Sequence, residues 1–443
     1  MTNVDISTGL RAWPGLDGDF QEAVMATAAS VRGTSFRRSL AKELRETRGK
    51  RWPSGPPVLV RQEYGATLRR FVRSYHSAIE TIVDASSKDP GVREVLRLPK
   101  ELREDVDGDH HPANDRVHLC RLDLLLDVNG GFRVLETNAN CPGAVLSCGI
   151  ASRRWRDYLS SACIEMPKPL NHESVNWMAR WFIQTATVAT DIAPAFVALF
   201  REDGGNRLEL PGLARQLADE GVEAVEVDPR ELTLSASGVA SVRGRRVHHG
   251  YWKLGIREFT RMRPTLDAFA AAVRQRTVFV QNGLRGRLIG DNKLCLAILS
   301  DPKFERLLDA KDLHVIRNHI PWSRALITCT KQEVERVRSN RAAYVLKRPL
   351  DTRGRGVIVG RGLKTQTEWD HALRSAINEG WLVQEFCTTT ETRADFRGGL
   401  MHRHDLSVGV INGNLAGAFL RSSGELRLNV ARTGRLHPVF MET

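Results

Sequence analysis

The stretch that most constrains this chain is residues 121–140, RLDLLLDVNGGFRVLETNAN. Two apolar, β-prone runs flank an Asn-Gly pair. Asn-Gly between alternating runs is the strongest short-range hairpin signal, because a type I′ turn needs φ > 0 at both central residues. With Asn129 and Gly130 at the turn, Val128 faces Gly131, Leu126 faces Arg133, Asp123 faces Glu136 and Arg121 faces Asn138. Side chains alternate with period two, so Asp123, Glu136 and Asn138 share one face. Two carboxylates opposed across a ladder repel. A hard divalent cation removes the repulsion, and carboxylate and amide oxygens are the donors Mg²⁺ accepts. The same residues also read as a surface hairpin whose acids are solvated and neutralised by Arg121 and Arg133, and the sequence leaves both readings open.

A chain of 443 residues can hold two or three domains and a sizeable core. No apolar run approaches the ~20 residues that span a bilayer, so no membrane partner is expected. The first residues lack the basic and apolar regions of a secretory signal. Seven scattered cysteines without a CxxC pair argue for reduced thiols, hence a cytoplasmic location, and against a zinc site or disulfide framework. A net charge of +13 invites an anionic partner. The arginines are spread along the chain, however, and no nucleic-acid motif accompanies the densest cluster, RGRR at 243–246, so sequence-specific DNA binding is not expected.

Apolar residues at helical spacing in DFQEAVMATAASVRG and YGATLRRFVRSYHSAIETIVDAS predict a mainly helical region before the hairpin, with KRWPSGPPVLV as a loop between them. After the hairpin a Pro-Gly turn leads into a helix, and MPKPLNHES at 166–174 reads as a linker. From 175, strand and helix patterns alternate as βαβ units of a parallel sheet. From 340 the pattern becomes strands with Gly-rich turns. YVLKRPLDTRGRGVIVG (344–360) is a strand ending in Lys347, a loop with Gly354 and Gly356, and a second strand. Such a loop lets backbone N–H groups approach phosphates, but it is no Walker A loop because no GK[ST] follows. WLVQEF (381–386) is a short apolar strand ending in Gln384 and Glu385. HDLSVGVINGNLAGAFLR repeats the Asn-Gly signal, and a turn at Asn412 and Gly413 sets His404 opposite Arg421 and Asp405 opposite Leu420.

Together these pieces resemble the ATP-grasp ligases in the circularly permuted arrangement of the glutathionylspermidine-synthase-like group, with the metal-like hairpin first, the lysines later and the arginine hairpin near the end. The resemblance covers residues 115–443. It implies an α+β or α/β fold of ATP-grasp type, circularly permuted. Its parts would be an N-terminal mainly helical region (1–114), a metal-binding hairpin part of the core (115–170), a Rossmann-like pre-grasp substrate domain (175–290) and nucleotide-binding lobes (291–443). By the same resemblance Lys293 and Lys347 look like the two nucleotide-phosphate lysines, and Gly354 and Gly356 belong to the phosphate-covering loop. Gln384, Glu385 and Phe386 resemble the hinge that meets adenine. Asp123, Glu136 and Asn138 match the Mg²⁺ ligands, and Arg121 the arginine before them. Arg421 is similar to the arginine that steadies the transferring phosphoryl, and Asn429 fits a polar slot. The sequence departs from the family in RTGRLHP, which has one glycine where two are common, and in the basic character of LKRPLDTRGRG.

The resemblance implies ATP and Mg²⁺ as cofactors and an ADP-forming carboxylate–amine ligase working through an acyl-phosphate on small-molecule substrates. The positive charge would also suit an anionic carrier protein or an aminoacyl-tRNA. Two other classes stand beside it: a basic nucleic-acid-binding or regulatory protein on a degenerate scaffold, and a phosphotransferase without ligation. Lys253, after the predicted strand HHGYW, is a substrate-binding candidate or a solvated strand end. His402 and His404 read as surface residues of the second hairpin, and Cys141 as an inert loop thiol.

Overall fold

The computed structural model describes residues 12–108, 116–352, 354–397, 399–426, 428 and 434–442. At its centre is a seven-stranded sheet in the order Val58–Val60, Arg435–Met441, Asn414–Ser423, Met401–Ile411, Leu119–Leu126, Phe132–Asn138, with Glu391–Arg393 also paired to Met401–Ile411. All pairs are antiparallel except Val58–Val60, which runs parallel to the C-terminal strand. The segment KRWPSGPPVLV therefore carries an edge strand as well as a loop. Its prolines lie before the strand, where no ladder N–H is lost.

The sheet is covered on both faces, and strand alternation shows how. Cys120, Leu122, Leu124 and Leu126 pack in one apolar core with Phe71, Val72, Ile79 and Val83 of the helix Gln62–Lys88. Leu119 and Phe419 belong to a second core with Trp155 of the helix Val145–Ser161. Burying each such side chain is worth about 1.5–3 kcal/mol, so a charged residue at Ile79 would dismantle the first core. Period two then turns Arg121, Asp123 and Leu125 away from the long helix.

Both Asn-Gly hairpins form, and each contains a β-bulge that resets its register. In the first, only Gly130 has φ > 0, and Asp127 N–H bonds to the Gly131 carbonyl at 3.0 Å across a three-residue loop. The turn is therefore not type I′, and Leu126 pairs with Phe132 rather than Arg133. Asp127 explains the difference, because its Oδ1 caps the N–H groups of Asn129 and Gly131 and favours the longer loop. An extra residue, Leu135, then shifts the ladder back, so Asp123 faces Glu136 and Arg121 faces Asn138 after all.

The second turn has φ > 0 at Asn412 and Gly413, as a type I′ turn requires. Here a bulge at Ala416 moves the register by one, and Arg421 faces Asp405, not His404. His404 is fully buried and His402 nearly so, against the surface placement expected of them, because Met401–Ile411 has strands on both sides.

Two smaller sheets flank this centre. Phe279–Val280, His249–Trp252, Phe196–Phe200 and Glu223–Val227 form a parallel sheet in that order, as the βαβ pattern predicts. Ser323–Ala325, Leu382–Glu385, Tyr344–Lys347 and Val357–Val359 form an antiparallel one backed by the helices Lys331–Ser339 and Gln366–Asn378. A three-stranded meander spans Leu232–Arg246. The expected linker at 166–174 is packed, with His172 buried and its Nδ1 3.1 Å from the Ala416 carbonyl that the second bulge releases. Among the described residues no helix is long and apolar enough to cross a membrane, and all seven cysteines are free.

Candidate functional site

A cleft of about 2210 Å³ runs between the sheets. Arg121, Glu136, Asn138, Lys253, Lys347, Gly354, Gln384, Glu385, Phe386 and Arg421 all line it. Asp123 and Lys293 lie just behind the wall, each bonded to a lining residue. Gly356 sits in the same loop as Gly354, both with φ > 0, and a Cβ at Gly356 would come within 2.6 Å of the Arg348 Cβ. Asn429 lies outside the described residues.

Asp123 is completely buried, yet the repulsion expected across the hairpin is absent because two guanidiniums neutralise it. Arg121 donates from Nε and Nη2 to the two carboxylate oxygens at 2.8 and 2.9 Å. Arg421 Nη2 lies 2.9 Å from Oδ2, Asn138 Nδ2 donates to the same oxygen at 3.1 Å, and Ser407 donates to Oδ1 at 2.9 Å. Burial opposes ionisation of Asp123, but Arg121 and Arg421 outweigh it and hold the carboxyl below its usual range. Arg421 also clamps Asp405, at 2.9 and 2.5 Å. Burial works against its charge, and the two carboxylates raise its pKa beyond the ordinary value.

Glu136 is the more open acid, its side chain 26% exposed, and its partner is Lys293 at 3.3 Å rather than Arg121 or Arg133. Lys293 also donates to the Asp351 carbonyl at 2.6 Å. Burial opposes its charge, while Glu136 and Asp291 raise its pKa above the usual lysine value. Lys347 reaches across from the antiparallel sheet. Its Nζ donates to the carbonyl of Leu135, the bulged residue, and to Gln384 Oε1, both at 2.7 Å. Both partners are neutral, and burial pulls Lys347 down to about 8 although Glu136 pulls the other way. The bulge therefore resets the register and also exposes a carbonyl that ties one sheet to the other.

The N–H of Glu385 bonds to the Trp322 carbonyl and that of Phe386 to the Ala343 carbonyl, both at 2.8 Å, so neither is open to a base edge. Phe386 carries the Arg361 guanidinium 3.9 Å from its ring centroid. Lys253 follows the C-terminal end of a parallel strand and is buried at 2% exposure, not solvated. It has no salt-bridge partner among the described residues. The resemblance assigns no role to Asp405, Ser407 or Asp291. Asp405 and Ser407 alternate on one strand, the same period-two polar signal that marks the first hairpin. Asp291 caps the N–H groups of Ala139 and Asn140 at 2.8 and 2.9 Å, and no local pattern announces that. Among the described residues no three His, Cys, Asp or Glu side chains converge as a preformed metal site.

No protein-family model matches this sequence. No curated protein matches it either. Among solved structures, a glutathione synthetase-like effector from Globodera pallida in its apo form superposes with a TM-score of 0.61 over 96% of this chain and 97% of its own, at 12% identity. A protein of Methylobacillus flagellatus KT, provisionally labelled a gamma-glutamylcysteine synthetase, gives a TM-score of 0.38 over 82% of this chain and 85% of its own, also at 12% identity. The first of these shows a shared α+β fold.

Proposed function

We propose that this chain is an ATP-dependent carboxylate–amine ligase that forms an amide or peptide bond through an acyl-phosphate. The observation that carries the reading is the meeting of two buried lysines, Lys293 and Lys347, beside the cleft-facing Glu136, with Arg121 and Arg421 completing a cationic wall. Lys347 is a buried ammonium with only neutral hydrogen-bond partners, and a triphosphate would supply the negative charge its surroundings lack. Mg²⁺ is bound by one or two carboxylates together with substrate phosphates, and Glu136 and Asn138 fit as the protein's share. Asp123, with donors on both oxygens, fits better as the strut that fixes Arg121 and Arg421 in place. The fold shared with a glutathione synthetase-like protein supports the same class.

Bound Mg²⁺–ATP would supply the phosphoryl group and neutralise charge as it transfers. The chain's own residues do the positioning. Lys347 at the cleft wall and Lys293 behind it would hold phosphate oxygens, the loop at Gly354 and Gly356 would cover them, and Arg421 would steady the charge that develops on the transferring phosphoryl. A substrate carboxylate oxygen takes the terminal phosphoryl and ADP leaves. An amine then attacks the acyl carbon, phosphate departs, and the amine nitrogen gives up a proton to leave an amide. Seven free cysteines suit a reducing cytoplasm.

The test is ADP release against pools of carboxylates and amines, alone and combined. Release that needs both substrates is the expected result. Release with the acid alone and a stable phosphorylated product would instead mean a phosphotransferase, and AMP formation would mean adenylation.

A further inference from the structure

The cleft is larger than the reaction centre, and its remaining wall is built by the region before the hairpin. The helix Val31–Arg48 presents Thr34, Arg37, Arg38, Ala41, Lys42, Arg45 and Arg48 to the cleft, a spacing of three and four that marks one helical face. Five of these seven are cationic. The helix has two acids, Glu43 and Glu46, and neither lines the cleft. Arg38, Lys42 and Arg45 are exposed and have no carboxylate partner among the described residues. Lys50, Arg51 and Arg207 extend the same wall. The helix dipole favours Arg45 and Arg48 in the last turn, but Arg38 and Lys42, like charges four apart and further back, gain nothing from it and destabilise the helix.

We propose that this stripe is a binding track for an acidic peptide chain whose reacting end lies at Glu136, Lys347 and Arg421; that direction, though not the binding itself, rests on the ligase reading. From Arg37 to Arg48 the helix rises about 16 Å, the length of roughly five extended peptide residues. Alternate side chains of an extended chain fall about 6.6–7 Å apart, close to the spacing of cations three and four apart on the helix. Arginine, which dominates the stripe, grips carboxylates with a planar fork. A single-stranded nucleic acid would also bring regular anions, but it needs aromatic faces on which its bases can stack. The aromatic residues of this arm are committed elsewhere. Trp52 is buried with the Arg48 guanidinium 5.6 Å from its ring, and Phe396 already carries Trp155 stacked at 5.7 Å and Arg37 at 4.5 Å.

The experiment uses the full chain without nucleotide and follows the fluorescence anisotropy of a labelled hexaglutamate, with hexalysine and an oligouridylate of equal length as comparators. The triple variant Arg38→Glu, Lys42→Glu, Arg45→Glu changes only exposed side chains, and circular dichroism checks its fold. Hexaglutamate should bind, lose affinity as salt rises, and bind the variant at least tenfold more weakly. No binding, or equal binding by variant and parent, overturns the track. Tighter binding of the oligouridylate, lost in the variant, overturns the peptide in favour of nucleic acid. Thermal protection by Mg²⁺–ATP, read on the same samples, reports on the ligase reading separately, so failure of one is not mistaken for failure of the other.

Discussion

Arg421 Nη2 lies 2.9 Å from Asp123 Oδ2, although a whole strand, Met401–Ile411, separates the strands that carry them. The guanidinium reaches diagonally over Asp405 and ties three strands into one charge network with Arg121. Removing one charge from its centre is costly, because two guanidiniums then share only Asp405. Asp123→Asn keeps the shape and loses that charge, and should destabilise the fold by about 3–5 kcal/mol, the cost of breaking a buried pair. Urea unfolding measures it, and a loss below about 1 kcal/mol would show that the network is not coupled as the distances suggest.

Glu136→Gln separates the two acids of the hairpin. Lys293 keeps the Asp351 carbonyl but loses its carboxylate, and Glu136 is partly solvated, so a stability loss of about 1–2 kcal/mol is expected. The opposed-acid picture alone would predict a gain. ADP release should fall to background at the same time. A variant that turns over normally would remove Glu136 from the metal and phosphate site.

Lys347 makes the nucleotide reading depend on pH. Its folded pKa of about 8 lies below the ordinary lysine value of 10.5. Between those values the unfolded chain binds more protons, so this group's contribution to stability rises with pH through that window, and below it the buried charge is a penalty. Lys347→Met should therefore leave the nucleotide-free protein equally stable or more stable near pH 7, by about 1–3 kcal/mol. It should also abolish the roughly 2.7 kcal/mol of protection that Mg²⁺–ATP gives at 100 times its dissociation constant. In the parent protein, affinity for Mg²⁺–ATP should weaken above pH 8, and a constant affinity from pH 7 to 9.5 would exclude Lys347 from the phosphate site.

Three buried histidines set the acid limit. Burial pulls His172 and His437 down to about 4 and His404 to about 3. A histidine held neutral in the fold contributes stability that is full above its unfolded pKa near 6.5 and is lost as pH falls towards the folded value. At pH 5 each group has lost about 2 kcal/mol, and three together approach the whole stability of an ordinary domain. Urea midpoints should therefore decline from about pH 6.5 downward. A midpoint unchanged from pH 7 to 4.5 would mean that these rings are solvated.

How far the sequence discloses all this is clearest at the first hairpin. Alternation in residues 119–126 and 132–138 is a local property, and it correctly sets Arg121, Asp123, Glu136 and Asn138 on one face. The turn is longer than Asn-Gly suggests and the bulge at Leu135 cancels the error. The partner of that bulge is Lys347, 212 residues away, and no local rule includes it. At the second hairpin nothing cancels the bulge, so Arg421 faces Asp405. The parallel sheet is legible because βαβ units alternate in composition. The cationic track on Val31–Arg48 is not, because its meaning depends on which face of the helix meets the cleft.

Arg421→Lys is the sharpest test of the chemistry. Arginine here makes a fork to Asp405 and a further contact to Asp123, and a lysine ammonium cannot reproduce both. Charge is kept, so Mg²⁺–ATP binding should change less than tenfold, while a stability loss of about 1–2 kcal/mol follows from the lost hydrogen bonds. If the guanidinium steadies the transferring phosphoryl, kcat should fall by about 10²-fold or more with KM for ATP little altered. A residue that only braces the sheet would lower stability and leave that split absent. Transfer of ¹⁸O from a labelled carboxylate substrate into phosphate should accompany turnover in the parent protein and persist, slowly, in the variant. If no label reaches phosphate, the acid is not activated as an acyl-phosphate, and the role assigned to Arg421 falls with it.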